Sequence, residues 1–386
     1  MSKLIHELVP PYIRELSPYV PGRPIEEVER ELNMHPIKLA SNENPLGPSP
    51  LAIEAARKAL VESNRYPDGS GFYLRDALAK KHNLPVDHII LGGGSTEIID
   101  LAARMVLLPG DCGVTSFGSF PLYHIAIRAT GARYFDVPMR DYHFDLEAIA
   151  RDLPPETKLI FLANPNNPTG TMFNAQDLDH FLAHVPENVL IVLDEAYFDY
   201  VEDPNYSRSV DLVRAGRNIL VLRTFSKVYG LAGLRIGYGL GPADLLGEMN
   251  KIRGPFNTSG VAQAAALAAL SDAEHVRRSV ESNRAGLAQL TAGLTKFGIK
   301  FVPSVANFLL VILGGDADSL AAQLLESGVI VRPMAWMGFP NAIRVTVGTR
   351  EENEKFLQSM ENLRQATARG SGAHRANLPK EDTQGI

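Results

Sequence analysis

The chain reads as an α/β protein, with a large domain on a mostly parallel sheet and a smaller α+β domain after it. Three observations predict this. Between residues 88 and 224 short apolar runs alternate with helix-like segments, the pattern of a parallel sheet covered by helices. The residues with chemical potential stand directly after those runs. From about residue 265 the pattern changes to one long helix, spaced strands and a capped terminal helix.

Residues 1–50 carry prolines at 10, 11, 18, 21, 24, 36, 45, 48 and 50. Proline forbids long helices, so an irregular arm packed on another part of the chain is expected. Helical spacing runs from Pro50 to about Ser63. Residues 88–91 form a strand candidate, followed by Gly92-Gly93-Gly94 and a helix over 96–107. Further strands are expected over 158–163, 189–193 and 218–222. The largely apolar stretch 261–270 is too short to span a membrane and reads as a buried helix. A long helix is expected over 273–294, and strands over 308–313 and 343–347. Thr349 with Glu352 makes a capping box for a helix reaching about Ala366. The resulting division is an arm and part of the small domain over 1–50, a large domain over 51–264 and a small domain over 265–368. Residues 369–386 are polar and aperiodic, so a disordered tail is expected.

A chain of 386 residues has room for two domains, and 45% hydrophobic with 21% charged residues is ordinary for a soluble protein. A net charge of −6 with mixed signs argues against a nucleic-acid partner. No basic region followed by an apolar core marks a secretory leader. The single cysteine, Cys112, sits in a turn entering a strand and reads as structural; a reducing, cytoplasmic compartment fits.

Four strand ends carry the chemistry, and in open α/β sheets ligands bind there. The loop Gly92-Gly93-Gly94-Ser95-Thr96-Glu97 offers backbone N–H groups to a phosphate. It does not match a dinucleotide fingerprint, because Glu97 stands where a third glycine is wanted, and no P-loop lysine follows. Asp194 ends an apolar run, where a carboxylate needs a partner. No histidine lies near it and no ligand cluster appears, so no metal is expected. Tyr197 follows three residues later. Asn164-Pro165-Asn166-Asn167-Pro168-Thr169-Gly170 is a rigid turn that projects Asn167. Lys227 stands in Thr224-Phe225-Ser226-Lys227, with Arg235 eight residues on. A lysine among apolar and glycine neighbours can form a Schiff base with an aldehyde.

Together these segments resemble the aspartate-aminotransferase-like, fold-type I family that uses pyridoxal 5′-phosphate (PLP). Within it Leu39-Ala40-Ser41-Asn42-Glu43-Asn44-Pro45, Asn64-Arg65-Tyr66-Pro67, Gly328-Val329-Ile330-Val331-Arg332 and Arg344-Val345-Thr346-Val347-Gly348-Thr349 resemble the histidinol-phosphate aminotransferases. The resemblance implies a large domain with a seven-stranded type of sheet, and a homodimer with shared sites. It implies that Lys227 bonds the cofactor and shuttles the proton, and that Asp194 pairs with the pyridine nitrogen. Asn167 and Tyr197 would hydrogen-bond the ring oxygen, and Phe120 would stack on the ring. Ser95, Thr96, Thr224, Ser226 and Arg235 would hold the cofactor phosphate, with Tyr66 reaching the phosphate in the neighbouring subunit. Tyr19, Asn42, Arg332 and Arg344 would bind substrate. The implied reaction moves an amino group between L-histidinol phosphate and 2-oxoglutarate by a ping-pong route. An aromatic amino-acid aminotransferase and a threonine-phosphate decarboxylase stay open as alternatives.

Overall fold

The computed structural model describes residues 7–376. The arm holds a helical turn, Pro11–Arg14, a helix, Ile25–Leu32, and a two-residue strand β1 (Ile37–Lys38). Pro11 begins the first and Pro24 immediately precedes the second, where a fixed φ and a missing N–H do no harm.

The large sheet comprises β2 (Ile89–Gly92), β3 (Cys112–Ser116), β4 (Arg133–Val137), β5 (Thr157–Ala163), β6 (Leu190–Asp194), β7 (Ile219–Thr224) and β8 (Gly237–Leu240). Their order is β2-β8-β7-β6-β5-β3-β4. Strands β3 to β7 pair in parallel, and β8 runs antiparallel to β7 and β2. The sheet is therefore seven-stranded and mostly parallel. β6 and β7 are buried along their whole length. Strands covered on both faces read as continuous apolar runs, and that is how β5, β6 and β7 stand out in the sequence. Some of the covering helices begin on side-chain caps. Asn174 and Asp177 form a reciprocal capping box, and Ser259 caps Gly260–Ser271 through the Ala262 N–H.

A second, antiparallel sheet joins β9 (Lys300–Val302), β10 (Phe308–Ile312), β12 (Arg332–Met334) and β13 (Phe339–Thr346), while β11 (Val329–Ile330) pairs in parallel with β1. Leu39, next to β1, is buried in one apolar cluster with Leu290, Leu309, Ile343, Val345 and Phe356. The arm thus contributes to this second core.

The terminal helix spans Arg350–Ala376. It passes the expected end near Ala366 and takes in 369–376, part of the segment expected to be disordered. Once its start is capped by Thr349 and Glu352, each further residue fixed gains one hydrogen bond, without the cost of a new nucleus. Residues 377–386, the rest of that expectation, lie outside the described residues.

Candidate active site

The carboxyl ends of β5, β6 and β7, the start of the helix Ser95–Val106 and the face of β12 and β13 enclose one cavity. Every site residue expected from the sequence lines it except Tyr66. Tyr66 is 83% exposed and stacks on Phe256, with ring centroids 4.8 Å apart.

Asp194 closes β6 and is buried. Its Oδ2 accepts from the Tyr123 hydroxyl at 2.8 Å and its Oδ1 from the Ala196 N–H at 3.1 Å. Burial pushes its pKa up to about 6, against the opposing pull of those two donors and of the Lys227 charge. Such a carboxylate is poised for a cation inside the cavity.

Lys227 lies in the loop after β7. The Ser226 N–H donates to Thr224 Oγ1, and the Gly230 N–H donates to the Lys227 carbonyl. These bonds fold the loop back on the strand end. The Lys227 ammonium lies 5.3 Å from the centroid of the Tyr197 ring. On the opposite wall, Gly94 has φ +78° and precedes the helix Ser95–Val106. Arg235 closes this corner, with guanidinium nitrogens 3.5 Å from both Thr96 Oγ1 and Ser226 Oγ. Two hydroxyls, an exposed guanidinium and a helix N-terminus make a cradle for a phosphate. Glu97 does not occupy it: its Oε2 accepts from the Gly93 N–H at 2.5 Å and from Asn257 Nδ2 at 2.8 Å.

Arg332 on β12 and Arg344 on β13 are direct register partners, and both are buried. Arg344 donates to Asn167 Oδ1 and to the Ala40 carbonyl, each at 2.6 Å, while its buried Nε has no partner. Arg332 donates to the Val20 carbonyl and lies 4.8 Å from the Trp336 ring. Tyr19 packs edge-on against the same indole at 5.7 Å. Burial lowers the pKa of both guanidinium groups, and for Arg344 the charge of Arg332 adds to the effect. Two adjacent cations held in a buried wall call for a multiply charged anion.

The geometry is similar to that of known proteins. The family model for aminotransferase class I and II matches residues 34–360. The chain belongs to the class I and II aminotransferases. Histidinol-phosphate aminotransferase 1 of Nitrosococcus oceani is 47% identical over 363 residues, covering 94% of this chain and 98% of that protein. The enzyme of the same name from Moorella thermoacetica is 46% identical over 353 residues, covering 91% of this chain and 92% of that one. Among solved structures, the histidinol-phosphate aminotransferase of Sinorhizobium meliloti in complex with pyridoxal 5′-phosphate superposes with a TM-score of 0.83. It is 29% identical, with 94% of this chain and 99% of that chain covered. An aspartate aminotransferase mutant from Thermus thermophilus gives a TM-score of 0.80 at 26% identity, covering 91% and 98%.

Sequence reasoning missed part of this aminotransferase's cavity. Tyr123 is fully buried, stacked on Phe161 at 4.7 Å, and holds Asp194. Its position three residues after Phe120, at the start of the helix Leu122–Ala129, was the available signal. Glu195 and Arg223 follow Asp194 and precede Thr224, so strand alternation turns them away from the cavity. There Arg223 Nε and Nη2 both donate to Glu195 Oε2, at 3.0 and 2.8 Å. Cys112 is buried in β3, where burial pushes its thiol pKa up, the behaviour of an inert structural cysteine.

Proposed function

We propose that this chain moves an amino group between L-histidinol phosphate and a 2-oxo acid, 2-oxoglutarate by preference, using PLP in a ping-pong reaction. The observation that carries the substrate is the pair Arg332 and Arg344, facing one another across β12 and β13 at the cavity wall. A substrate carboxylate needs one arginine fork. A phosphate dianion accommodates two, and histidinol phosphate has a phosphate and no α-carboxylate. The names of the relatives at 46–47% identity support the same substrate.

The residues present fit the cofactor. Buried Asp194, which ionises only near pH 6, suits a protonated pyridine nitrogen. Ser95, Thr96, Thr224, Ser226 and Arg235 suit the phosphate. Phe120, half-buried on the cavity wall, offers an aromatic face. When bound, PLP supplies an electrophilic carbonyl and a ring that accepts electrons from the substrate carbon. The protein supplies placement and proton movement. Lys227 Nζ, in the cavity lining, would hold the cofactor and, when free, would take the proton from the amine-bearing carbon. Asp194 would hold its negative charge against the ring nitrogen. Asn167, with its oxygen engaged by Arg344, has its amide N–H groups left for the ring oxygen, and Tyr197 in the same lining would donate to that atom. The arm holds Arg332 through the Val20 carbonyl, and Tyr19 lines the same cavity.

We also assign a homodimer in which Tyr66 reaches the partner's cofactor phosphate. Its exposure, with that of Val61, Phe72 and Tyr73 in the same stretch of chain, supports a surface covered by a second copy. Cytoplasmic residence fits the lone, buried thiol.

A substrate panel tests the reading. L-Histidinol phosphate should show a kcat/KM well above phenylalanine, tyrosine and O-phosphothreonine, with no CO2 released. Equal rates with phenylalanine would point to an aromatic aminotransferase, and CO2 from O-phosphothreonine to a decarboxylase; either overturns the assignment.

A further inference from the structure

A short chain of hydrogen bonds runs from the second sheet to the cavity, and each of its protons has an assignable direction. Asn42 is buried and held at φ +55°. Its backbone N–H donates to Thr346 Oγ1 at 2.9 Å. A backbone N–H can only donate, so the Thr346 hydroxyl accepts there and has its own proton to give. That proton goes to Asn42 Oδ1, 3.2 Å away. An asparagine whose oxygen faces Thr346 must turn its NH2 the other way, and Asn42 Nδ2 lies 2.9 Å from the Tyr197 hydroxyl. The Asn42 carbonyl is fixed independently by Asn307 Nδ2 at 3.0 Å.

We propose that Thr346 and Asn42 are positioning residues that set the polarity of Tyr197. Because the phenol oxygen accepts from Asn42, its own proton is left for the cavity. Among the described residues no other hydrogen bond to that hydroxyl is present. Tyr197 therefore enters the cavity as a donor, as an oxygen of developing negative charge on the bound cofactor requires. The polarised chain strengthens that donor. Thr346 lies two residues beyond Arg344 on β13, so the strand that carries the anion-binding arginine also orients the group facing the ring. This inference rests on the PLP reading above.

The test uses the cofactor-loaded protein and a spectroscopic readout. The visible absorbance of wild type, Thr346→Ser, Thr346→Val and Asn42→Gly is titrated with pH, with thermal melting as a folding check. Glycine keeps the left-handed backbone of position 42 unstrained. The charged groups near Tyr197, namely Lys227, Arg344 and, across the cavity, Asp194, are retained in all four. A hydrogen bond donated to the ring oxygen favours the more anionic form of the bound group. Weakening it should raise the absorbance midpoint by about one pH unit, the scale of a single hydrogen bond to a charged atom. Thr346→Val and Asn42→Gly should both move upward, and Thr346→Ser should match wild type. An unmoved midpoint in Thr346→Val overturns the proposal. So does a downward move in Asn42→Gly, which would show that Tyr197 had been donating to Asn42 instead. If Thr346→Val does not fold, the sign for Asn42→Gly decides alone. Absence of any visible band in PLP-treated wild type would sink the cofactor reading itself, and this inference with it.

Discussion

At the residue scale, Asp194 sets function against stability. Its carboxyl is raised from 3.8 to about 6 by burial, so the folded, cofactor-free chain holds a proton that the unfolded chain has lost between those values. Stability of the cofactor-free protein therefore falls as pH rises from about 4 to about 6 and stays lower above that. The rise corresponds to about 3 kcal/mol. Asp194→Asn should remove this penalty, and urea unfolding of the cofactor-free variant at pH 7.5 should show a gain of about 1–3 kcal/mol. The same variant should lose most transamination, because a neutral amide cannot hold a protonated ring nitrogen. Arg332 gives a second residue-level outcome. Arg332→Ala removes one charge-assisted contact, about 1.5–3 kcal/mol. The kcat/KM for histidinol phosphate should fall about ten- to a hundredfold, while phenylalanine loses much less. Equal losses on both substrates would remove Arg332 from phosphate recognition.

At the element scale, the glycine turn before Ser95–Val106 sets the phosphate cradle. Gly94 sits at φ +78°, and a Cβ there would come within 2.6 Å of Arg235 Nη2. The guanidinium is the free end of a flexible side chain and can yield, but only by leaving the cradle. Gly94→Ala should therefore lower PLP affinity, read by fluorescence titration, and destabilise the chain by about 1–3 kcal/mol through backbone strain. This element also shows what the sequence makes legible. The runs ending at Ala163, Asp194 and Thr224 announce themselves because β5 beyond Lys158, β6 and β7 are buried on both faces and their central residues are apolar. β4 is exposed or half-buried up to its buried last residue, Val137, and β8 is Gly-Tyr-Gly-Leu; neither carries a strand signal of that strength. The site follows the same division. Residues next to a strand end, such as Asp194 and Lys227, can be placed from position alone. Tyr123 and Thr346 act across 71 and 304 residues of chain, where no local spacing reports the contact.

At the scale of the whole molecule, the cavity joins two cores, and one expected contributor points out of it. Tyr66 lies outside its own chain's cavity and is largely exposed. In the dimer proposed above a second copy brings it to a cofactor, and that arrangement has a consequence no single-chain variant tests. Lys227→Ala should be inactive and Tyr66→Ala impaired in PLP binding when each is prepared alone. Mixed after dissociation and reassociation, they form hybrids in which one site carries both substitutions and the other carries neither. The intact site pairs Lys227 of one chain with the Tyr66 position supplied by the other. Activity at limiting PLP should therefore rise on mixing above the sum of the two parents. If Tyr66 served its own chain, every site in the hybrid would keep one defect. Mixing would then leave the summed activity unchanged, and the shared-site dimer would have to be given up while the chemistry at Lys227 stood.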